Sequence, residues 1–466
     1  MTAPTPFTRA LAERIAAPLP APLPPPVAEA SCRILADALG VTLGGAGSEL
    51  AAPLWRYLQA EGGSGAAPVL GSPLRLPPAL AALAHAGLGA ALDFDDVLSA
   101  MPAHPSVLVL GVALAAAAEA PVSGQALIEA HVVGLEAGAR MGRLMTLAHY
   151  DQGFHASGTL GLFAALAAYA RLLRLPAALV QAALGIGASM AAGLRRNFGT
   201  LAKPLHSGWA ARCAVEAVRL AASGLGAAPD AIEGPAGFAD AYGVASCRGE
   251  ATLDDWGQAW AVHAPGVSLR KFACYNALQR PMQAVLDLRA QLGITDARAV
   301  RRLQCRMPPG GMQGAIHPRP ATGLEAKFSL PYVLAAGLQD GVYGLASFGD
   351  AAVRRPEIAR LLERIDARED PRCRGDDPDF DRRTAGGRGF VEVELWTEDG
   401  RHALQRMERP PGHPQRPLNW SDLRDKFADC AGFGGFNTEA ALAVFDRLRD
   451  LPRCADVSAL LAPLAR

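Results

Sequence analysis

The sequence predicts a mostly α-helical protein with an inserted α+β segment, its large helical domain being formed from both chain ends. Three observations predict it. Apolar residues recur at three- and four-residue spacing from Val27 to about Gly224. Beyond Trp256 short alternating runs mix with helical ones. Helical text then resumes after Pro417. The division is a proline-rich lead-in (1–26), a first helical part (27–265), an α+β segment (266–405) and a helical return (406–466).

The lead-in ends in PLPAPLPPP, which cannot be a long helix. Helices are predicted over 27–39, 77–92, 124–142, 157–173 and 205–224. Ser157 is placed to cap the fourth of them, and glycine ends the fifth. The run 175–194 carries no formal charge and has the length of a membrane span. Its Ala and Gly content, and Pro176 at a first-turn position, make it a buried core helix instead. In the mixed segment, 267–274 and 299–309 read as extended, and 277–293 and 329–342 as helical. Residues 389–401 read as a strand entering a turn, and the charged stretch 366–389 as a mobile loop. Helices return at 420–430 and 438–451.

Half the residues are hydrophobic and the formal net charge is zero, which argues against nucleic acid or an anionic membrane as partner. The eight cysteines (32, 213, 247, 274, 305, 373, 430 and 454) form no CxxC pair and no zinc-like cluster. No signal-peptide pattern opens the chain, so a cytoplasmic protein with reduced thiols is expected. Only four of the 45 basic residues are lysines: Lys203, Lys271, Lys327 and Lys426. Lysine is kept where arginine cannot substitute.

Four stretches set ionisable groups in apolar text. LDFDDVLSAMPAHPS (92–106) holds Asp93, Asp95 and Asp96 ahead of His104, which a proline places in a turn. HYDQGFHASGTLG (149–161) sets His155 just before a helix, with His149 and Tyr150 in the same loop. A helix N-terminus receives carboxylates and disfavours an imidazolium, so a neutral His155 suits proton exchange. In FGTLAKPLHSG (198–208) Lys203 is enclosed by apolar text and His206 leads into the next helix. An enclosed lysine either sheds a proton, which arginine does not, or supplies a compact point charge. In SLRKFACYNALQRP (268–281) Lys271 and Arg280 suit a polycarboxylate. No metal site is indicated.

These motifs, with EGPAGFADAYG (233–243) and LEAKFSLPYVLAAGLQDG (324–341), resemble in order those of the MmgE/PrpD family, which holds dehydratases, decarboxylases and epimerases of small carboxylates. The match covers roughly 30–345 and continues more loosely to the end. The resemblance implies a smaller α+β lid domain inserted in the helical one, an active site between domains, a homodimer, and no metal or organic cofactor. It places Asp93, His104, His155, Lys203 and Lys271 in the pocket, and Tyr332 matches a substrate-contacting tyrosine. Tyr150 and Lys203 resemble the proton-handling pair of the epimerase branch.

Two departures stand out: Arg280 replaces a frequent histidine, and Val97 a frequent threonine. The expected reaction starts with proton abstraction next to a carboxylate of a small di- or tricarboxylate. Its outcome is lyase-type, dehydration or decarboxylation. The alternatives are epimerisation of an iminodisuccinate-like compound and binding without catalysis. Lys203 or His155 is the base, His104 or Tyr150 the acid, and Asp93 the orienting carboxylate. Lys271, Arg280, Tyr332 and His206 bind substrate. Which carboxylate is used, and which outcome follows, is not written in these residues.

Overall fold

Helices of the chain open on proline at Pro25, Pro78, Pro105 and Pro356, where its missing N–H costs nothing. A computed structural model describes residues 6–19, 22–244 and 252–465. Cys247 lies outside the described residues; the other cysteines are free thiols. The architecture is mostly helical with a small mixed sheet. Two compact units are present: Met1–Leu269 with Asn419–Arg466, and Arg270–Leu418.

In the first unit the helices are α1 (Phe7–Ala16), α2 (Pro25–Gly45), α3 (Ala51–Glu61), α4 (Pro78–Ala90), α5 (Pro105–Ala117) and α6 (Gly124–Asp151). They continue with α7 (Ala156–Leu172), α8 (Ala177–Ala188), α9 (Ala202–Ala222) and the short α10 (Phe238–Tyr242). The two-residue strands β1 (Ala67–Pro68) and β2 (Arg75–Leu76) pair antiparallel. The lead-in is more structured than expected: Phe7, Leu11 and Ile15 of α1 repeat every four residues, are buried, and dock the helix on α8. The uncharged run 175–194 yields only the twelve-residue α8. Among the described residues no helix is long and apolar enough to cross a membrane.

Helix α5 sits at the centre, with every residue except Leu114 buried and α4, α7 and α9 packed around it. The helix Trp420–Phe433 packs on α2, so the chain's end belongs to this unit. Its start is fixed by a capping box between Asn419 and Asp422. The close approach of α9 to α4 needs glycine. A Cβ at Gly208 would stand 2.6 Å from the Leu83 carbonyl oxygen. Gly208→Val is therefore expected to destabilise the chain by about 2 kcal/mol or more, read as a lower Tm.

The second unit carries the sheet. Strand β3 (Val300–Met307) lies between β4 (Ile365–Glu369), parallel to it, and β5 (Val391–Thr397), antiparallel to it. Strand β6 (His402–Met407) completes a β4-β3-β5-β6 order. The helix α11 (Gln279–Gln291) packs on β5 and β6 and against the helix Leu330–Asp340.

Three expectations change here. Residues 267–274 are not a strand: Ser268 alone bridges to Val97, and the next main-chain groups are taken by a side chain. Gln279 accepts from Lys271 N and Phe272 N at 3.1 and 3.0 Å and donates to the Phe272 carbonyl at 2.9 Å. The charged stretch 366–389 begins as strand β4 rather than loop. The unit also runs to Leu418, past 405; β6, paired with β5, carries it to Met407.

Candidate active site

Three helix N-termini of the first unit carry the histidines and the lysine. His104 occupies the N-cap position of α5, His155 that of α7, and Lys203 lies in the first turn of α9. Ser157 does not cap α7 as expected; His155 holds that place. The Ser157 hydroxyl instead accepts the His104 N–H at 3.1 Å, tying the start of α5 to that of α7. Gly158 permits a close pass of the segment before α9, since a Cβ there would lie 2.2 Å from the Ala192 carbonyl oxygen. His155 N donates to the Gly193 carbonyl at 3.0 Å across that contact. Free N–H groups and aligned peptide dipoles at such ends favour an anion.

Asp93 stands in the loop between α4 and α5 with a left-handed backbone (φ 53°), which aspartate tolerates better than most residues. Its carboxylate pairs with the Lys203 ammonium, and both are buried. The Phe198 ring closes the arrangement: its centroid is 4.9 Å from that of His155 and 5.3 Å from Lys203 Nζ. The His104 and His155 centroids are 6.3 Å apart. His155, only 2 % exposed, meets His206 through an Nδ1–Nδ1 hydrogen bond of 2.9 Å. Burial, then the charge of Lys203, hold His155 well below the usual imidazole value, and the same causes lower His206. Both rings are neutral at neutral pH.

A second layer fixes His104. Its Nδ1–H donates to the Asp96 carbonyl at 2.6 Å, so Nε2 is the nitrogen left to take or give a proton. The Asp96 carboxyl is anchored by the Ser106 hydroxyl (2.6 Å) and Ser106 N–H (3.2 Å). Ser106 also meets His131 Nε2 at 3.0 Å, and His131 Nδ1 meets the Ser31 hydroxyl at 2.8 Å. Ser106 and Phe198 stand at the ends of the motif stretches 92–106 and 198–208 without being singled out, and nothing in the sequence pointed to Ser31 or His131. The three polar ones are lone residues on apolar helices, and periodicity does not mark them.

Other expected residues have different surroundings. His149 joins Tyr242 O (2.8 Å) to the Thr159 hydroxyl (2.7 Å) and stacks on Phe154, a packing role. It follows a break in α6 at Thr146, whose φ of 56° is strained for a β-branched residue. The guanidinium of Arg195 lies 3.9 Å over the Tyr150 ring, and the Tyr150 carbonyl accepts from Arg195 at 2.8 Å.

Three residues belong to the second unit. Lys271, half-buried, donates to Gln283 at 3.1 Å. Arg280 is not a free cation for substrate: fully buried, it donates to the carbonyls of Arg388, Gly389 and Ala385 at 2.7, 3.0 and 3.2 Å. It anchors the end of the charged stretch. Tyr332 is also fully buried, its hydroxyl donating to the Ser347 carbonyl, so it packs the helix Leu330–Asp340 rather than presenting a phenol. Among the described residues no cluster of three or more His, Cys, Asp or Glu side chains could hold a metal ion.

The buried imidazoles set a pH dependence of stability. Six of the ten histidines (85, 131, 149, 155, 206 and 413) are lowered, in each case first by burial, with His85 and His413 at about 4 and His131 at about 3. Below about pH 6.5 the unfolded chain takes up protons that the native state refuses. Stability present above that value is therefore lost as pH falls. Asp96 acts oppositely, because burial raises it to about 7 and the native state keeps its proton between about pH 4 and 7. One group against six leaves the histidines dominant. The urea midpoint is expected to be lower at pH 5 than at pH 7.5; an unchanged or higher midpoint would mean these rings are charged in the fold.

Comparison with known proteins matches the sequence of this chain to a family. The family model for the MmgE/PrpD N-terminal domain matches residues 9–246, and that for the MmgE/PrpD C-terminal domain matches 272–449. The chain is 30 % identical over 449 residues to cis-aconitate decarboxylase of Mus musculus, covering 92 % of this chain and 88 % of the relative. It is 28 % identical to the Homo sapiens enzyme of that name, over 93 % and 90 % of the two chains. It is 26 % identical to that of Aspergillus terreus, over 85 % and 83 %. With both domain models matched over nearly its whole length, the chain belongs to the MmgE/PrpD family.

Proposed function

We propose that the chain is a carboxy-lyase for a small unsaturated tricarboxylate of the cis-aconitate class. One observation carries the reading: a buried Lys203–Asp93 pair stands with neutral His155 among three helix N-termini. Cations and N–H groups placed there stabilise charge that develops beside a carboxylate. The decarboxylase relatives supply the reaction type.

Decarboxylation breaks the bond between the substrate carbon and its carboxylate, and the electron pair stays on the carbon skeleton. Carbon dioxide leaves, and a proton must be delivered. In this account Lys203 supplies the compact positive charge, fixed by Asp93. His155 exchanges the proton, and His104 serves the opposite side, its tautomer set by the Asp96 carbonyl. Lys271 is proposed as a further cation for the substrate and a homodimer as the working form, both from the resemblance to the family.

Epimerisation is the second reading, favoured by the absence at position 280 of the histidine frequent in the family. Incubation in deuterium oxide with cis-aconitate and, in parallel, with a panel of substituted dicarboxylates separates the readings. The expected product has lost carbon dioxide and gained one deuteron. Inversion with exchange on an unbroken skeleton of a substituted dicarboxylate makes the chain an epimerase. Tight binding without turnover across di- and tricarboxylates makes it a binding protein.

A further inference from the structure

His155 is nearly inaccessible, yet the proposed role requires it to exchange protons. Its Nε2 is buried and has no hydrogen-bond partner among the described residues. Its Nδ1 contacts His206 Nδ1 at 2.9 Å. Two facing nitrogens at that distance hold one hydrogen between them. The two neutral rings must therefore carry opposite tautomers. If His155 holds the Nδ1 proton, its Nε2 is a lone pair and His206 has Nε2–H. If His206 holds it, His155 presents Nε2–H. Exchanging the two forms moves the shared proton between the Nδ1 atoms and, with it, a proton onto one Nε2 and off the other. Both rings stay neutral while His155 Nε2 changes between acceptor and donor.

His206 differs from its partner in exposure: it is half-buried, in the first two turns of α9. We infer that His206 is a positioning residue that sets the tautomer of His155 and exchanges protons with solvent on its behalf. The inference rests on the reading of His155 as the proton-exchanging group. The delivery step balances as follows. His155 gives its Nε2 proton to the substrate carbon and takes the shared proton at Nδ1. His206 gives up that Nδ1 proton and gains one at Nε2 from water or a buffer acid. Both rings begin and end neutral with their tautomers exchanged, and one solvent proton has reached carbon. The pair resets when His155 Nε2 takes a proton from water after product leaves, the shared proton returns to His206 Nδ1, and His206 Nε2 releases one to solvent. The reverse sequence moves a proton outward.

The charged and titratable groups acting on His155 are Lys203, His104, His206 and Asp93; Lys203 acts on His206. Three of the four, Lys203, His104 and His206, are cationic or can become so, which disfavours a lasting imidazolium on His155. Proton transfer along the neutral pair avoids that state.

Two measurements test the inference. In full-length protein with 15N-labelled histidine rings at pH 7.5, His155 and His206, assigned from single variants, are expected to be neutral with opposite tautomers. In steady-state kinetics H206A is expected to lower kcat by about a hundredfold, with KM within roughly threefold. Added imidazole is expected to restore at least roughly tenfold of that loss, rising with its concentration. If H206A does not fold, H206N, whose amide both donates and accepts, takes its place. Two rings both protonated at Nε2, a variant at the parental rate, or a loss that imidazole does not reverse overturns the inference. Should the parent itself fail to turn over cis-aconitate, the proposed function fails, and the tautomer measurement alone decides the pair.

Discussion

Replacing Lys203 by methionine is expected to reduce turnover about a thousandfold and to destabilise the fold as well. The ammonium is the buried partner of Asp93. Removing it leaves a buried carboxylate uncompensated, a loss of about 3–5 kcal/mol. Thermal unfolding and kcat measured together distinguish the two effects. K203M combined with D93N is expected to regain most of the stability and none of the activity, because the uncompensated charge has gone while the cation is still missing. K203R keeps a charge but spreads it over a longer planar fork, and is expected to stay far below the parent in kcat. Parental turnover in K203M would remove lysine from the chemistry.

His155→Phe is expected to behave oppositely in stability while losing comparable activity. The ring stands against Phe198 with a buried, unpartnered Nε2. Phenylalanine keeps the shape and removes that nitrogen; it also removes the Nδ1 that meets His206, whose half-buried ring can bond to water instead, so Tm is expected to hold or rise. Turnover is expected to fall by roughly 10²–10⁴, the range that a positioned proton-exchanging group contributes. A fall in Tm without a fall in kcat would make His155 a packing residue.

The motif text falls where helices begin, and the fold brings Asp93, His104, His155 and Lys203 to neighbouring helix starts. LDFDD, GFHASG and LAKPLH each read as turn followed by helix, and turns before helices are where polar groups in apolar text converge. What the text does not carry is which partner each group takes. Ser157 looks like a cap but spends its oxygen on His104 N, since His155 already occupies the N-cap position. Arg280 looked like a ligand contact because it follows Lys271 in a basic stretch, and Tyr332 because a motif transfers identity without surroundings; burial gave both of them main-chain carbonyls. Strand β4 was hidden in charged text because it pairs on one side only, with β3, and needs little apolar surface. The sparing use of lysine proved informative: Lys203, Lys327 and Lys426 are buried, and Lys426 pairs with Asp37 at 2.7 Å.

Carbon dioxide release from cis-aconitate, followed side by side in the parent chain and in K203M, tests the central claim most directly. The account predicts steady release by the parent and about a thousandfold less by the variant. Binding of cis-aconitate by the parent with no release, or equal release by both, would contradict it.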